Sequence, residues 1–271
     1  MTPPPLPTLD IAGTRLHMIG LEQAVALAEA WIRQGRPGVV CHVNAQGIVV
    51  ARRDPELAAA YAGADLAVAD GMPLVWLGRR RGFPEVGRVY GPDFMTLLMQ
   101  RTTLPDGSGP GHFLFGANEV VLEALQRRLE ARHPGLRIVG RLAPPFGAWD
   151  EAESARHLER INQSGAAVVW VGLGAPKQEI WMARHRSRLT PPLLAGVGAA
   201  FDFFAGTKPQ APRWMQRSGL EWLFRLLSEP RRLWPRYREA APQFIRLTAR
   251  EWLAGPLPER RNPPPPPPEG G

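Results

Sequence analysis

The stretch Ala166–Gly174 reads AAVVWVGLG, and Ala175–Glu179 continues it as APKQE. A short apolar run bounded by glycines is typical of a strand buried on both faces of a parallel sheet. Pro176 suits the first turn of a helix, where its missing N–H leaves no donor unpaired. The order strand, Gly-x-Gly turn, helix aims backbone N–H groups at the carboxyl edge of the sheet, where phosphates bind. The Gly-x-Gly turn alone is equally typical of an ordinary α/β connection without a ligand. The polar residues Lys177-Gln178-Glu179 at the start of the helix favour a binding site.

A second apolar run, PLLAGVG at Pro192–Gly198, leads into AAFD at 199–202 and reaches the same edge. Strands and helices alternate with short turns before it, which predicts a Rossmann-like, doubly wound, mainly parallel α/β sheet of about six strands. The six expected strands cover 38–43, 64–69, 112–117, 136–143, 166–171 and 192–197. The clearest expected helices cover 21–34, 46–52, 73–78, 119–132 and 150–163, and another is expected to start at Asp54.

The composition of the chain changes at both ends, which predicts four segments. Residues 1–9 are proline-rich and are expected to be disordered, and 10–205 form the α/β core. Residues 206–255 are helical, aromatic and basic, and form an appendage. Residues 256–271 form a disordered tail, whose prolines at 263–268 predict an extended polyproline conformation.

Charge and apolar runs limit the function classes. A net charge of +8 indicates an anionic partner: nucleic acid, lipid head groups or a phosphorylated substrate. No apolar run approaches the ~20 residues that span a bilayer, and Met1–Asp10 lacks the basic start of a signal peptide. The one cysteine, Cys41, lies in a strand pattern and predicts a buried, inert thiol. We therefore expect a cytoplasmic protein.

Several ordered motifs carry a resemblance to a known family. They are GLGAPKQE at 172–179, GVGAAFD at 196–202, Ala211-Pro212 and GLEWLFRL at 219–226. Together, at this spacing, they resemble the WecG/TagA/CpsF family of bacterial glycosyltransferases. The resemblance covers roughly Gly38 to Tyr237, which is nearly all of the expected folded part.

The resemblance implies an activity and partners. It implies an inverting glycosyltransferase that moves N-acetylmannosamine, or a related sugar, from a UDP-sugar to a polyprenyl-diphosphate-linked acceptor in cell-wall or surface polysaccharide biosynthesis. A soluble enzyme with such an acceptor is expected at the inner face of the cell membrane, on anionic lipid. No nucleic-acid partner is expected, and a homo-oligomer is possible.

Asp70 is the first candidate for catalysis. It ends a parallel strand and precedes a glycine, at the edge where α/β folds place catalytic groups. Inverting transfer to a hydroxyl needs one base to take the acceptor proton. Asp-Gly is also a common plain turn, but Asp70-Gly71 matches the family's Asp-Gly motif, whose aspartate is the proposed general base.

Other strand ends and loops supply candidate substrate-binding residues. Asn44 could hold a sugar hydroxyl or a phosphate oxygen, or simply form a turn, and the resemblance favours contact with substrate. His42 departs from the threonine of some relatives; it either faces substrate or, slightly favoured, is a hydrogen-bonded strand histidine. Arg88 would otherwise be a surface charge, but it matches a family arginine near the active site. Arg79-Arg80-Arg81 resembles a solvated run more than a site.

The late glycine turns are expected to bind the nucleotide, through Gly172, Gly174 and Gly198. Lys177, Gln178 and Glu179 match the family's Pro-Lys-Gln-Glu motif, and Gln178 is assigned to nucleotide or sugar contact. Glu179 could equally complement the helix dipole. Asp202 either holds the ribose or uracil or caps the next helix.

Metal ligands are missing from the sequence pattern. No Asp-x-Asp pair occurs, and no paired histidines or cysteines have ligand spacing. We therefore expect no cofactor and metal-independent transfer, with the diphosphate charge offset by backbone N–H groups and arginines. Arg225 and Arg232 match family positions and are the expected supply, although each could instead meet lipid only.

Two other function classes fit parts of the sequence. A Rossmann-type NAD(P)-dependent oxidoreductase would need the third glycine of Gly-x-Gly-x-x-Gly, which the 172–177 turn lacks, and the turn lies late in the chain. A basic nucleic-acid-binding protein would fit the pI near 10.8, but no nucleic-acid motif occurs and the aromatics have helix spacing.

Overall fold

The computed structural model describes residues 5–147 and 149–257. An eight-stranded sheet lies between two layers of helices, with strand order β1-β2-β4-β3-β8-β7-β5-β6. The strands are β1 Thr8–Ile11, β2 Thr14–His17, β3 Gly38–Val43, β4 Leu66–Ala69, β5 Gly111–Gly116, β6 Arg137–Leu142, β7 Val168–Gly172 and β8 Leu193–Gly196.

The helices fall into two groups along the chain. Those of the core are α1 Leu21–Gln34, α2 Ala45–Ala51, α3 Pro55–Ala62, α4 Met72–Arg80, α5 Gly91–Thr102, α6 Glu119–Arg132, α7 Glu151–Gln163, α8 Lys177–His185 and α9 Ala200–Ala205. Those of the appendage are α10 Arg213–Arg217, α11 Glu221–Ser228 and α12 Pro230–Leu253.

The predicted α/β class and the six predicted strands are confirmed, but the strand count was too low. β1 and β2 form an antiparallel hairpin, and β2 then joins β4 in parallel. The hairpin begins at Thr8, so the expected disorder of residues 1–9 is wrong from that residue onward. Leu9, Ile11 and Leu16 are buried there, and this burial stabilises a hairpin whose strands are only four residues long.

Each face of the sheet is covered by its own apolar cluster. Helices α2, α3, α4, α7, α8 and α12 cover one face, and α1, α5, α6 and α9 cover the other. The central strands β3, β4, β7 and β8 are apolar nearly throughout, because both of their faces are buried.

Strand register brings two loops together at the carboxyl edge. Val43 of β3 pairs with Ala69 of β4, so Asn44 and Asp70 leave the sheet side by side. On the other side of β3, Gly196 of β8 is the last residue paired with both β3 and β7. The chain winds outward from β3 to β4 in one direction and returns through β7 and β8 from the other, and ligands bind at such a reversal.

The appendage packs on the core over part of its length. Buried residues of α12 include Leu233, Phe244 and Thr248, and among the core helices it packs mainly on α2 and α4. Arg79 and Arg80 are exposed, as expected, but Arg81 is half-buried. Arg80 donates to the carbonyl of Trp252, and Arg81 donates to that of Gly255 at 3.0 Å. These bonds hold the end of α12 against α4.

The chain stays ordered slightly beyond the expected appendage boundary. The N–H of Leu257 donates to the carbonyl of Arg81 at 3.1 Å, so 256–257 belong to the packed part rather than to the tail. The predicted polyproline stretch at 263–268 lies outside the described residues.

Candidate active site

Asp70 lies directly after β4 with its carboxyl group partly enclosed. The side chain is 20% exposed, and its Oδ1 atom is buried with no hydrogen-bond partner in the described chain. Burial raises the pKa of Asp70 to about 6; Glu221 adds to the rise, while Arg88 and Arg225 oppose it. A carboxylate with a free oxygen and a pKa near neutrality suits a general base.

Arg88 lies between two carboxylates. Its Nη2 atom is 2.6 Å from Oε2 of Glu221 and 3.7 Å from Oδ1 of Asp70. Its Nε donates to the main-chain carbonyl of Asp70, and its guanidinium stacks over the Tyr90 ring at 4.0 Å from the ring centroid. The arginine is therefore fixed by several contacts, and it lies beside Asp70, the candidate base.

Tyr90 and Glu221 complete this network, and the sequence analysis assigned neither. The Tyr90 hydroxyl donates to Oε1 of Glu221 at 3.1 Å, and the Gln210 amide donates to the Tyr90 hydroxyl at 3.4 Å. Burial raises the pKa of Tyr90, so the phenol stays protonated. Glu221 lies within the motif at 219–226, and Tyr90 lies two residues after Arg88. The signal that could have identified them is a polar side chain at the start of a helix, near an arginine already assigned to the site.

Asn44 lies beside Asp70 but has a structural task as well. Its Oδ1 accepts from the Gly47 N–H at 2.9 Å and so caps α2. A Cβ placed on Gly71 would lie 3.7 Å from the Asn44 Cβ, which shows how close the two loops are. The Asn44 side-chain oxygen therefore forms the turn, as one of the two interpretations expected. The Asn44 amide nitrogen remains available to bind a ligand at the carboxyl edge of the sheet.

His42 is a buried strand histidine. Its Nδ1 donates to the Val89 carbonyl at 2.9 Å, and its ring packs edge-on against Phe94 at 5.2 Å. Burial lowers its pKa to about 4, so the ring is neutral. The hydrogen-bonded interpretation is therefore the one the geometry favours.

Gln178 and Glu179 are buried at the start of α8. The Gln178 side chain accepts from the Gly174 N–H at 3.2 Å and donates to Oε1 of Glu179 at 2.9 Å. Oε2 of Glu179 is buried without a partner in the described chain, and burial raises the Glu179 pKa to about 7. Lys177 is exposed instead and lies 5.7 Å from the centroid of the Phe146 ring.

Glycine is required at two positions in this turn. Gly174 has φ +79°, in the left-handed region that favours glycine. A Cβ at Gly172 would lie 2.4 Å from the Phe201 ring, so a side chain there would displace α9. Gly198, the third expected nucleotide contact, has φ +50° and lies beside the Gln178 amide. Gly174 and Gly198 thus lie on the same side chain, that of Gln178, while Gly172 packs against Phe201.

A cavity of about 410 Å³ opens between α9 and α11. Its lining includes Lys208, Arg225, Ser228 and Glu229. Arg232 is not part of the lining; it pairs with Glu229 at 2.5 Å. Asp202 is bound by Lys208 at 3.0 Å and by the Thr207 hydroxyl at 3.1 Å, which gives it a local role at the end of α9.

The family comparison covers the described chain almost end to end. A family model described as the Glycosyl transferase WecG/TagA/CpsF family matches residues 9–257. The chain belongs to this glycosyltransferase family. The match extends beyond the Gly38–Tyr237 range of the motifs, and it includes the hairpin from Leu9 onward and all of the appendage.

Membership of the WecG/TagA/CpsF family supports glycosyl transfer as the general chemistry of the protein. Within residues 5–147 and 149–257, no three His, Cys, Asp or Glu side chains form a group that could hold a metal ion. In the same ranges no helix is both long enough and apolar enough to cross a membrane.

Proposed function

We propose that this protein is an inverting glycosyltransferase that moves a sugar from a UDP-sugar to an acceptor carried on a polyprenyl diphosphate. The observation that carries the proposal is the Asp70 carboxylate at the carboxyl edge of a sheet in a glycosyltransferase family. One of its oxygens has no hydrogen-bond partner among the described residues, and its pKa is raised to about 6. N-acetylmannosamine, or a related sugar, is the proposed donor sugar, and a cell-wall or surface polysaccharide is the proposed product.

The proposed step is a single displacement. The acceptor hydroxyl approaches the anomeric carbon from the face opposite the diphosphate, and its proton passes to the Asp70 carboxylate. The new carbon–oxygen bond forms as the bond to the diphosphate oxygen breaks, and UDP leaves with that electron pair. The anomeric configuration therefore inverts, and Asp70 returns its proton to water in the next cycle.

Positive charge for the leaving diphosphate is available in the cavity between α9 and α11. Arg225 and Lys208 line the cavity beside α9, and Arg225 lies close enough to lower the Asp70 pKa. Arg225 forms no salt bridge within residues 5–147 and 149–257, so its guanidinium is free to meet an anion. Such groups stabilise charge that develops in the transition state, each worth a factor on the order of 10²–10³ in rate.

The nucleotide is proposed to lie across the ends of β7 and β8. Gly174 leaves the backbone there open to close approach by a phosphate or ribose, because nothing lies within 4 Å of its Cβ position, and Gly172 and Gly198 shape the neighbouring turns. Lys177 is exposed at the same edge, and Gln178 holds the turn in shape through the Gly174 N–H.

The appendage is proposed to bring the enzyme to an anionic lipid surface. Residues 206–254 contain ten Lys or Arg against four Glu. Large apolar side chains remain exposed on α10, α11 and α12, namely Trp214, Trp222, Leu227, Trp234, Ile245 and Leu253. Basic residues near anionic lipid contribute about 1 kcal/mol each, and tryptophan favours the interface.

One binding experiment separates the proposal from the other two classes. Thermal unfolding is followed with UDP, with NAD and with duplex DNA, each against an equal ionic strength of buffer. We expect UDP to raise the Tm of the wild type and to raise that of Arg225→Ala less. A rise with NAD or DNA and none with UDP would contradict the proposal.

A further inference from the structure

Glu221 is the one residue of the appendage that reaches both Arg88 and Tyr90 in the core. It is the first residue of α11, and its side chain is only 11% exposed. One carboxylate oxygen is 2.6 Å from Arg88, and the other accepts from the Tyr90 hydroxyl at 3.1 Å. A buried carboxylate with both oxygens bound is held in one orientation, because losing either partner would leave charge unpaired.

The turn before α11 fixes this carboxylate in place. Gly219 has φ +73°, and a Cβ there would lie 2.6 Å from Cη2 of Trp76 and 3.2 Å from the Met72 Cβ. Met72 and Trp76 belong to α4, the helix that begins two residues after Asp70. The close approach of the turn to α4 therefore sets the distance from Glu221 to the Asp70 loop.

The Arg88 guanidinium lies closer to the Glu221 carboxylate than to the Asp70 carboxylate. The Nη2 atom forms a hydrogen bond to Glu221 at 2.6 Å but stays 3.7 Å from Oδ1 of Asp70, outside hydrogen-bond range. Nε is used by the Asp70 main-chain carbonyl. Arg88 is thus anchored to the backbone of Asp70 while its charge is directed to Glu221.

We propose that Glu221 is a positioning residue that holds the Arg88 guanidinium off the Asp70 carboxylate, and that it does so only while α11 is seated on the core. Without Glu221, the same guanidinium is free to close onto Oδ1. A paired carboxylate is a weaker base, so docking of the appendage sets the basicity of Asp70. The catalytic consequence rests on the proposed function; the effect on Asp70 itself does not.

The charges around Asp70 agree with this direction. Glu221 raises the Asp70 pKa and Arg88 lowers it, after burial as the largest cause. The Asp70 carboxyl also interacts electrostatically with Tyr61 on α3, Glu179 on α8 and Tyr90. A second cation, Arg225 on α11, interacts with it as well. Among all the charged and titratable groups around Asp70 named here, Glu221 is the one that accepts a hydrogen bond from Arg88.

The test is the titration of Asp70 itself in the full chain. Protein labelled with ¹³C at aspartate Cγ is titrated by NMR, and the Asp70 signal is assigned by its loss in Asp70→Asn. We expect Glu221→Gln to lower the Asp70 pKa by about one unit or more, because the like charge of Glu221 is lost and the positive charge of Arg88 is free to approach Asp70. The matched control is Glu239→Gln, which removes an exposed appendage carboxylate that pairs with Arg53, and it should leave the Asp70 titration unchanged.

A double-mutant cycle tests whether the effect passes through Arg88. In an Arg88→Gln background, Glu221→Gln should shift the Asp70 pKa by less than half as much. An equal shift in both backgrounds would overturn the positioning role, as would an unchanged or higher Asp70 pKa in Glu221→Gln. If Glu221→Gln fails to fold, Glu221→Asp takes its place: with the charge kept but withdrawn by one methylene, a smaller fall is expected, and no fall contradicts the proposal.

The pH dependence of sugar transfer distinguishes the proposed role of Asp70 as the base from the proposed role of Glu221 in positioning Arg88. If Asp70 is the base, the acid limb of the kcat/KM profile for sugar transfer should move to lower pH in Glu221→Gln together with the NMR titration. If the NMR titration moves and the limb does not, Glu221 still positions Arg88 but Asp70 is not the base.

Discussion

Arg88 is bonded to the backbone of Asp70 but not to its carboxylate: Nε donates to the main-chain carbonyl, while Nη2 stays 3.7 Å from Oδ1. The arginine thereby fixes the loop that carries the carboxylate without forming a tight ion pair with it. A loosely paired, partly enclosed carboxylate keeps its basicity near neutral pH, which an acceptor-activating base needs.

The first prediction concerns pH. The pKa of Asp70 is raised to about 6, so its reactive, deprotonated form is lost as the pH falls through 6. We expect kcat/KM to fall about tenfold per pH unit below this value. UDP affinity measured over the same range separates loss of binding from loss of the base. A profile that stays flat from about pH 5 to 8 would rule out a titrating base with this pKa.

The second prediction concerns metal. The sequence has no Asp-x-Asp pair, and Arg225 and Lys208 line the cavity that is proposed to receive the diphosphate. Activity is therefore expected to survive dialysis against EDTA. Loss of turnover that Mg²⁺ or Mn²⁺ restores would show that a divalent cation takes part.

The third prediction separates the two roles of the appendage arginines. Arg225→Ala should lower turnover by a factor on the order of 10²–10³, since it removes a cation from the cavity between α9 and α11. Arg246→Ala removes an equal charge from an exposed position on α12 and should leave turnover unchanged. Both should weaken binding to anionic vesicles slightly and equally. Equal turnover in the two variants would remove Arg225 from the site.

The fourth prediction concerns stability. The pKa of Glu179 is raised by burial to about 7, above its ordinary value of 4.5, so the folded state prefers the protonated acid. The stabilisation present below pH 4.5 is lost as the pH rises through 7. Glu179→Gln should therefore gain up to about 3 kcal/mol in free energy of unfolding, relative to wild type, between pH 4.5 and 8.

Urea unfolding at several pH values measures this difference, with Glu123→Gln on the exposed side of α6 as the control. A difference between Glu179→Gln and wild type that does not change with pH would show that Glu179 is not buried as a protonated acid.

Much of the fold was predictable, because local patterns determine it. The spacing of apolar residues over 21–34 predicted both ends of α1, and short apolar runs predicted the six strands of the central sheet. The β1–β2 hairpin was missed because its strands are short and half polar, so the contacts that stabilise it are tertiary. Helix α5 was also missed, since the sequence was interpreted there only as a motif around Arg88.

The candidate site was predictable only in part. Asp70, Asn44 and Gln178 follow strand ends or open a helix, and parallel register brings such positions to one edge. The bond between Arg88 and Glu221 joins residues 133 positions apart, through a turn that packs on α4. No local pattern encodes that packing, so the partner that holds Arg88 in place could be found only in the folded chain.

The measurement that tests the central claim most directly is sugar transfer from UDP-N-acetylmannosamine, and a panel of related UDP-sugars, to a polyprenyl-diphosphate-linked acceptor, by wild type and Asp70→Asn. We expect wild type to form an anomerically inverted product. Asp70→Asn should bind UDP normally and turn over more slowly by a factor on the order of 10²–10⁴. Wild-type turnover in Asp70→Asn, or no transfer from any UDP-sugar by wild type, would contradict the account.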